Sequence, residues 1–251
     1  MFPNVTVASD PAEVAALDAR YDAAITNAVA NNTDIIAAEL ERETATRSRL
    51  VVSRDSSEVY RLASDANQLY ATYYSLVEAG FRLPTDSKWE PIRHIVDAMM
   101  FRRYQKEVRF GALTLDEAGL LHYGDCHMIM KTSMIDYRTT TFTENTAAFA
   151  ANRGFVIPLG HRATWARRGR LAVAKLASAL TTSTAAANLP TILKTDGATS
   201  DDDSFVEAHV YGSISMQTVE QVSLTRAAKP AYKLSAFKEK LKKFGVRVVM
   251  V

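Results

Sequence analysis

Phe205-Val-Glu-Ala-His-Val-Tyr-Gly212 is the stretch that decides the fold. Val206, Ala208 and Val210 alternate with Glu207, His209 and Tyr211, a period of two that predicts a half-buried strand. The strand follows a polar loop, Lys194 to Ser204, which contains Asp196-Gly197 and the run Asp201-Asp202-Asp203. A carboxylate at the mouth of a strand, beside such a loop, is placed to meet a ligand at the end of a sheet. The plain alternative is that Glu207 is the solvent-facing residue of an edge strand, as exposed glutamates usually are.

Beyond this strand, Val219 to Leu224 predicts another alternating strand. Phe237, Leu241 and Phe244 mark a short helix ended by Gly245, and Val246 to Val251 predicts a closing strand. Lys229, Lys233, Lys238, Lys240, Lys242 and Lys243 read as a solvated basic face. Before the Glu207 strand, Arg162, Arg167, Arg168, Arg170 and Lys175 precede an Ala/Leu/Thr helix that ends near Pro190. Arg138-Thr-Thr-Thr-Phe-Thr143 is β-prone, and Glu144-Asn145-Thr146 can start a helix. His122 to Lys131 predicts a strand entered through a Gly turn. His122, Cys126 and His127 do not make a metal site there, since neighbours in one strand point to opposite faces.

The front of the chain reads as helical over residues 10 to 47, with Asp10-Pro11 as N-cap and first-turn proline and a break at Asn31-Asn32-Thr33-Asp34. Leu50, Val51 and Val52 predict a short buried strand that ends at Arg54. An arginine there offers a forked donor to phosphate or carboxylate, or else pairs with Asp55 or Glu58. Residues 58 to 79 predict one helix stopped by Gly80, and Pro84 and Pro91 flank a loop carrying Trp89. Ile92 to Tyr104 predicts a helix with Ile92, Ile95, Val96, Met99 and Met100 inward, and Leu113 to Leu121 a short helix with Thr114 and Glu117 as a capping box. A helical front followed by short strands among helices indicates an α+β fold.

The 251 residues suffice for one large domain or two small ones, with 30 Lys+Arg against 28 Asp+Glu. The resulting charge of +2 does not by itself indicate a nucleic-acid binder. A single cysteine, Cys126, excludes an intramolecular disulfide and a zinc site built on a cysteine cluster. No apolar run reaches membrane-spanning length, and no cleavable signal pattern is seen at Met1, so the expected setting is aqueous. Gly-rich phosphate loops, a Gly-x-Ser-x-Gly elbow and a His-Glu-x-x-His helix are all missing from the sequence.

Three pieces stand in order: Leu-Val-Val-Ser-Arg54, then Tyr123-Gly leading to Arg-Thr-Thr-Thr141-Phe142-Thr143, then Phe-Val-Glu207-Ala-His-Val-Tyr-Gly. Together they resemble the mono-ADP-ribosyltransferase superfamily of the arginine–serine–glutamate type, over about residues 49 to 251. In that family an Arg ends the first core strand, a Ser/Thr–aromatic/Thr–Ser/Thr triplet lies on the second, and a Glu opens a later one. The resemblance implies a split β-sandwich catalytic domain over 49–251, with 1–48 as a helical segment packed on it. It implies NAD as substrate, no metal, and chemistry of the glycosyltransferase class. Glu207 would stabilise the oxocarbenium-like charge that builds on the ribose. Arg54 would hold the phosphates or the ribose, and Thr141 and Thr143 would bond the ribose, with Phe142 facing nicotinamide or core.

Arginine-modifying members carry Glu or Gln two residues before the catalytic Glu, where this chain has Phe205. The resemblance therefore implies a hydroxyl acceptor, Thr or Ser. It extends to the CteC-type bacterial effector family, which ADP-ribosylates ubiquitin on a threonine. The expectation is a monomeric secreted effector, or toxin, that acts in the host cytosol on a host protein, with neither membrane nor nucleic acid as partner. Glu220 is the reserve carboxylate. Glu207→Ala is expected to abolish NAD turnover with little change in thermal stability. The competing expectations are a nucleic-acid ligand, on the basic clusters, and an inactive interaction module of the same fold.

Overall fold

Where apolar residues alternate, the chain forms strands; where they recur every three or four residues, it forms helices. The computed structural model describes residues 2–80, 88–225 and 234–251. Pro84, Lys229 and Lys233 lie outside them. The front holds α1 (Pro3–Ala8), α2 (Pro11–Ala30) and α3 (Asp34–Arg47). Then come β1 (Arg49–Arg54), α4 (Ser56–Leu62), α5 (Tyr73–Glu78), α6 (Glu90–Phe101), β2 (Val108–Thr114) and β3 (Cys126–Met130). The middle comprises α7 (Thr132–Ile135), β4 (Thr139–Phe142), α8 (Thr146–Ala151), β5 (Arg162–Thr164) and α9 (Arg168–Leu176). The last part contains α10 (Leu189–Leu193), β6 (Lys194–Thr195), β7 (Ser204–Phe205), β8 (Glu207–Tyr211), β9 (Val219–Leu224), α11 (Leu234–Lys242) and β10 (Arg247–Met250).

Eight strands form one mixed sheet in the order β10-β9-β3-β1-β2-β8-β4-β5, and β6 pairs with β7 separately. Only β9 and β10 run parallel among these pairs. This is the mixed helix-and-sheet architecture that the sequence predicts. Residues directly opposite in antiparallel strands share a face. On one face Leu50, Leu113, Met128, Ala208 and Val222 join Leu17 of α2, Leu40 of α3 and Leu171 of α9 in a single apolar cluster. On the other face lie two smaller clusters, one with Val51, Ala112 and Phe205, the other with Phe101, Phe142 and Phe149. Glu207 pairs with Ala112 on one side and with Phe142 on the other, so it sits between these two clusters.

The central feature is a fork. β1 pairs with β2 over Arg49–Val51 and Ala112–Thr114 only. Past that point β1 continues along β3, through Val52, Ser53 and Arg54, while the earlier part of β2 pairs with β8. The two strands part, and a cavity opens between them.

Several expected helices are differently built. The helix expected over 58–79 is interrupted: Asn67 N donates to Asp65 Oδ1 at 2.7 Å, Tyr70 N bonds Ile214 O, and Thr72 caps the new helix α5. Leu113 to Leu121 is not helical. Thr114 ends β2 and its hydroxyl bonds Asp116 at 2.6 Å, and Glu117 adopts φ 59°. The helix expected after Arg170 stops at Leu176, where the chain tightens into a 3₁₀ turn. In α6, Ile95 and Met99 are exposed, and Arg93 and Asp97 turn inward beside Val96 and Met100.

The basic run of 162–175 is consumed in packing. Arg168 donates to Ser48 Oγ, Ala45 O and Trp165 O; Arg167 and Arg170 pair with Asp18. The backbone amides of Gly160 and Arg162 donate to buried Glu13. These charges staple α2 and the end of α3 to α9, which removes half of the motive for a nucleic-acid ligand.

Candidate functional site

The cavity in the fork has an empty space, counted with its open mouth, of about 750 Å³. Val51, Ser53 and Arg54 line it from β1, Phe110 and Ala112 from β2, Phe205 from the end of β7 and Glu207 from the start of β8. Tyr73, Trp89, Arg93, Tyr123 and Asn145 complete the wall.

Glu207 is not the exposed edge residue of the plain alternative: only 2 % of it is accessible. Its Oε2 accepts from Thr146 N at 2.9 Å and from the Thr146 hydroxyl, and lies 3.0 Å from His209 Nε2. Its Oε1 lies 3.6 Å from the Arg93 guanidinium. Burial, the largest influence, pushes this carboxyl up, but the His209 bond, the Arg93 charge and the Thr146 bond outweigh it and bring it to about 2. Glu207 is therefore ionised at any ordinary pH. His209 is itself fixed by ring contacts with Phe101 at 4.9 Å and Phe110 at 5.4 Å, and Asn145 caps α8 so that Thr146 presents its amide.

Arg93 is the counter-charge. Its guanidinium lies over the Phe110 ring at 4.4 Å and 3.7 Å from Asp97, whose other oxygen accepts from Tyr74 at 2.9 Å. Burial draws the Arg93 guanidinium down, but the Asp97 and Glu207 carboxylates reverse this and hold it above its ordinary value. Burial raises the Asp97 carboxyl to about 6 despite Arg93, and the Tyr123 hydroxyl to about 12. Among the described residues, one Arg93 guanidinium nitrogen and the Trp89 indole nitrogen are buried with no hydrogen-bond partner. Each such buried donor calls for a partner, an ordered water or a ligand.

The sequence-predicted residues divide. Glu207 and Arg54 reach the same cavity. Arg54 bonds its own Ser53 carbonyl at 2.8 Å, lies 4.9 Å over the Tyr70 ring, and also pairs with Glu58 at 3.4 Å, as the alternative held. Thr141, Phe142 and Thr143 do not line it. Thr141 is opposite Ala208 and so faces the main core, away from Glu207. Thr143 bonds His161, and Phe142, though on the Glu207 face, is buried against Phe149 at 5.0 Å. The register puts Phe142, and neither of the threonines expected to bond the ribose, on the face of the sheet that carries Glu207. Glu220 is on β9 and pairs with Arg49 and Arg247, away from the fork. Cys126 is buried and His127 bonds Ser53 Oγ at 2.9 Å.

Sequence inspection missed Arg93, Asp97, Trp89 and Thr146. A faint signal existed: Arg93 and Asp97 are spaced one helical turn apart within an otherwise apolar helix face. Phe205, beside Glu207, is 4 % accessible, and Lys175 Nζ donates to its carbonyl at 2.7 Å. Burial lowers that ammonium to about 8. No protein-family model matches the sequence, and a search of curated proteins finds no match to it.

Proposed function

We propose that the chain is an NAD-dependent mono-ADP-ribosyltransferase acting on a hydroxyl acceptor of a protein. The observation that carries this is the fork: Glu207 and Arg54, far apart in sequence, line one cavity where β1 leaves β2. NAD would supply the ribose carbon and, in nicotinamide, the leaving group. The Arg93 and Trp89 nitrogens that make no hydrogen bond among the described residues suit its anionic, acceptor-rich diphosphate, and Tyr73, Trp89 and Tyr123 offer faces on which its rings can stack. Glu207, held ionised in a water-poor setting by Thr146 and His209, stabilises positive charge as it develops on the ribose. Arg93 then exchanges the carboxylate for phosphate, which frees Oε1 for the ribose hydroxyl. Phe205 leaves the acceptor side without a carboxylate or amide to engage a guanidinium, so threonine or serine is the acceptor class. A bacterial effector that modifies a host protein such as ubiquitin is the setting that the resemblance supplies.

The experiment is Glu207→Gln assayed with labelled NAD. Turnover should fall by about 10²–10³-fold, the usual cost of losing one charge-stabilising group, while NAD still binds. Unchanged turnover refutes the assignment. A second reading, a ligand-binding module without turnover, is favoured by the engagement of Glu207 Oε2 and the distance of Thr141 and Thr143 from the cavity. Binding of NAD with no labelled acceptor in a eukaryotic lysate would select it.

A further inference from the structure

Beside the cavity is a second group of chemistry-bearing side chains that the mechanism does not use. His122 sits in the 3₁₀ turn Leu121–Tyr123, and Asp196 and Asp203 bracket the loop between β6 and β7. One ligand atom from each of the three lies within 4.8 Å of the others. Asp196 Oδ1 accepts from Leu121 N at 2.7 Å; Asp203 Oδ1 accepts from Gly197 N at 2.8 Å and meets His122 Nδ1 at 2.9 Å.

The observation that points to a ligand is Asp203. Its side chain is wholly buried, at 0 % accessible, and among the described residues Oδ2 is enclosed with no hydrogen-bond partner. Among the described residues its ion-pair partner is His122, with neither Lys nor Arg. A desolvated carboxylate with a second carboxylate close by is unfavourable unless positive charge is brought to it. One imidazole nitrogen and two carboxylate oxygens are a donor set for a divalent transition metal.

We propose that His122, Asp196 and Asp203 bind a divalent metal ion, with Zn²⁺ the best match. Ligands at about 2.1 Å from such an ion stand about 3.4 Å apart. The His122 ring, whose side chain is 30 % accessible, can turn to meet such an ion. The ion would clasp the 196–203 loop to the 120–123 turn. Leu120 and Tyr123 line the cavity from the turn, and Phe205 follows directly from the loop, so the clasp sets the gap between two of its walls. This inference does not depend on the transferase reading.

The test uses the full chain, stripped with a chelator and titrated with Zn²⁺ against a chromogenic competitor. One equivalent should bind and raise the melting temperature. Asp203→Asn and His122→Ala should each weaken binding more than about 100-fold, since changes merely behind a ligand cost ~10–100-fold. His94→Ala, an exposed histidine elsewhere, should bind as the parent does. Absence of binding by the parent, or unchanged affinity in either substituted chain, overturns the proposal. Should Asp203→Asn fail to fold, His122→Ala decides alone, because its side chain is partly exposed at the surface and lies outside the apolar clusters.

Discussion

Glu207 is both the proposed catalytic group and a buried structural ion, and the two roles make different demands. Alanine at 207 would leave Arg93 desolvated without one of its two carboxylates, and breaking a buried pair costs about 3–5 kcal/mol. The expectation of an unmoved melting temperature therefore gives way: Glu207→Ala should lose stability on that scale in urea denaturation, and Glu207→Gln, which keeps an acceptor for Thr146, clearly less. The pH dependence has a definite sign. The carboxyl is depressed from 4.5 to about 2, so its contribution is complete above about 4.5 and drains away as the pH falls toward 2. The stability gap between the parent and Glu207→Gln should shrink across that window; a gap that is constant down to pH 2 contradicts the network described. Glu207 and Arg54 were legible in the sequence because each ends or begins an apolar strand. Arg93 was not, because a lone arginine on a helix reads as a solvated face, and its partner comes from a strand much later in the chain.

At the scale of elements, the ends of β1 and β3 depend on Gly124. Its φ of 130° is open to glycine, and a Cβ there would stand 2.2 Å from the Arg54 carbonyl carbon and 2.6 Å from Asp55 N. Gly124→Ala must push the Arg54–Asp55 peptide aside. The expected outcome is a loss of ligand affinity beyond the loss of global stability, read by comparing titration with urea midpoints; equal affinity would mean that Arg54 does not serve the cavity. The strands over 206–211 and 219–224 were legible from their alternation, but their burial was not: the expected half-buried strand is covered on both faces, with Glu207, His209, Gln221 and Ser223 as buried as the apolar residues between them. The helices over 58–79 and 113–121 were not. At 113–121 the apolar spacing fits both periods, and a bond from a threonine hydroxyl to a nearby aspartate decides for the turn. The charged staples of α9 were illegible for the same reason as Arg93: composition shows five basic residues and is silent on their partners.

For the molecule as a whole, the boundary at residue 48 is a change of composition and not a seam. Leu17, Ala37 and Leu40 lie in the same apolar cluster as Leu50, Leu113 and Leu171. A chain that starts at Arg49 would bare one face of the main sheet, and Arg168 would lose its Ser48 and Ala45 acceptors. Expression of residues 49–251 should give aggregated protein without a cooperative urea transition; a soluble, cooperatively unfolding fragment would show the front to be dispensable. The order of strands in the sheet was beyond sequence inspection, because β8 lies between β2 and β4 by long-range pairing that no local pattern records.

The parting of β1 from β2 has an evolutionary corollary. Each strand turns an edge of peptide groups toward the gap, and peptide groups are the same whichever amino acid carries them. A ligand gripped there by amide and carbonyl would tolerate wide drift in the surrounding letters. Descent could then blur the written motif while the grip itself persisted.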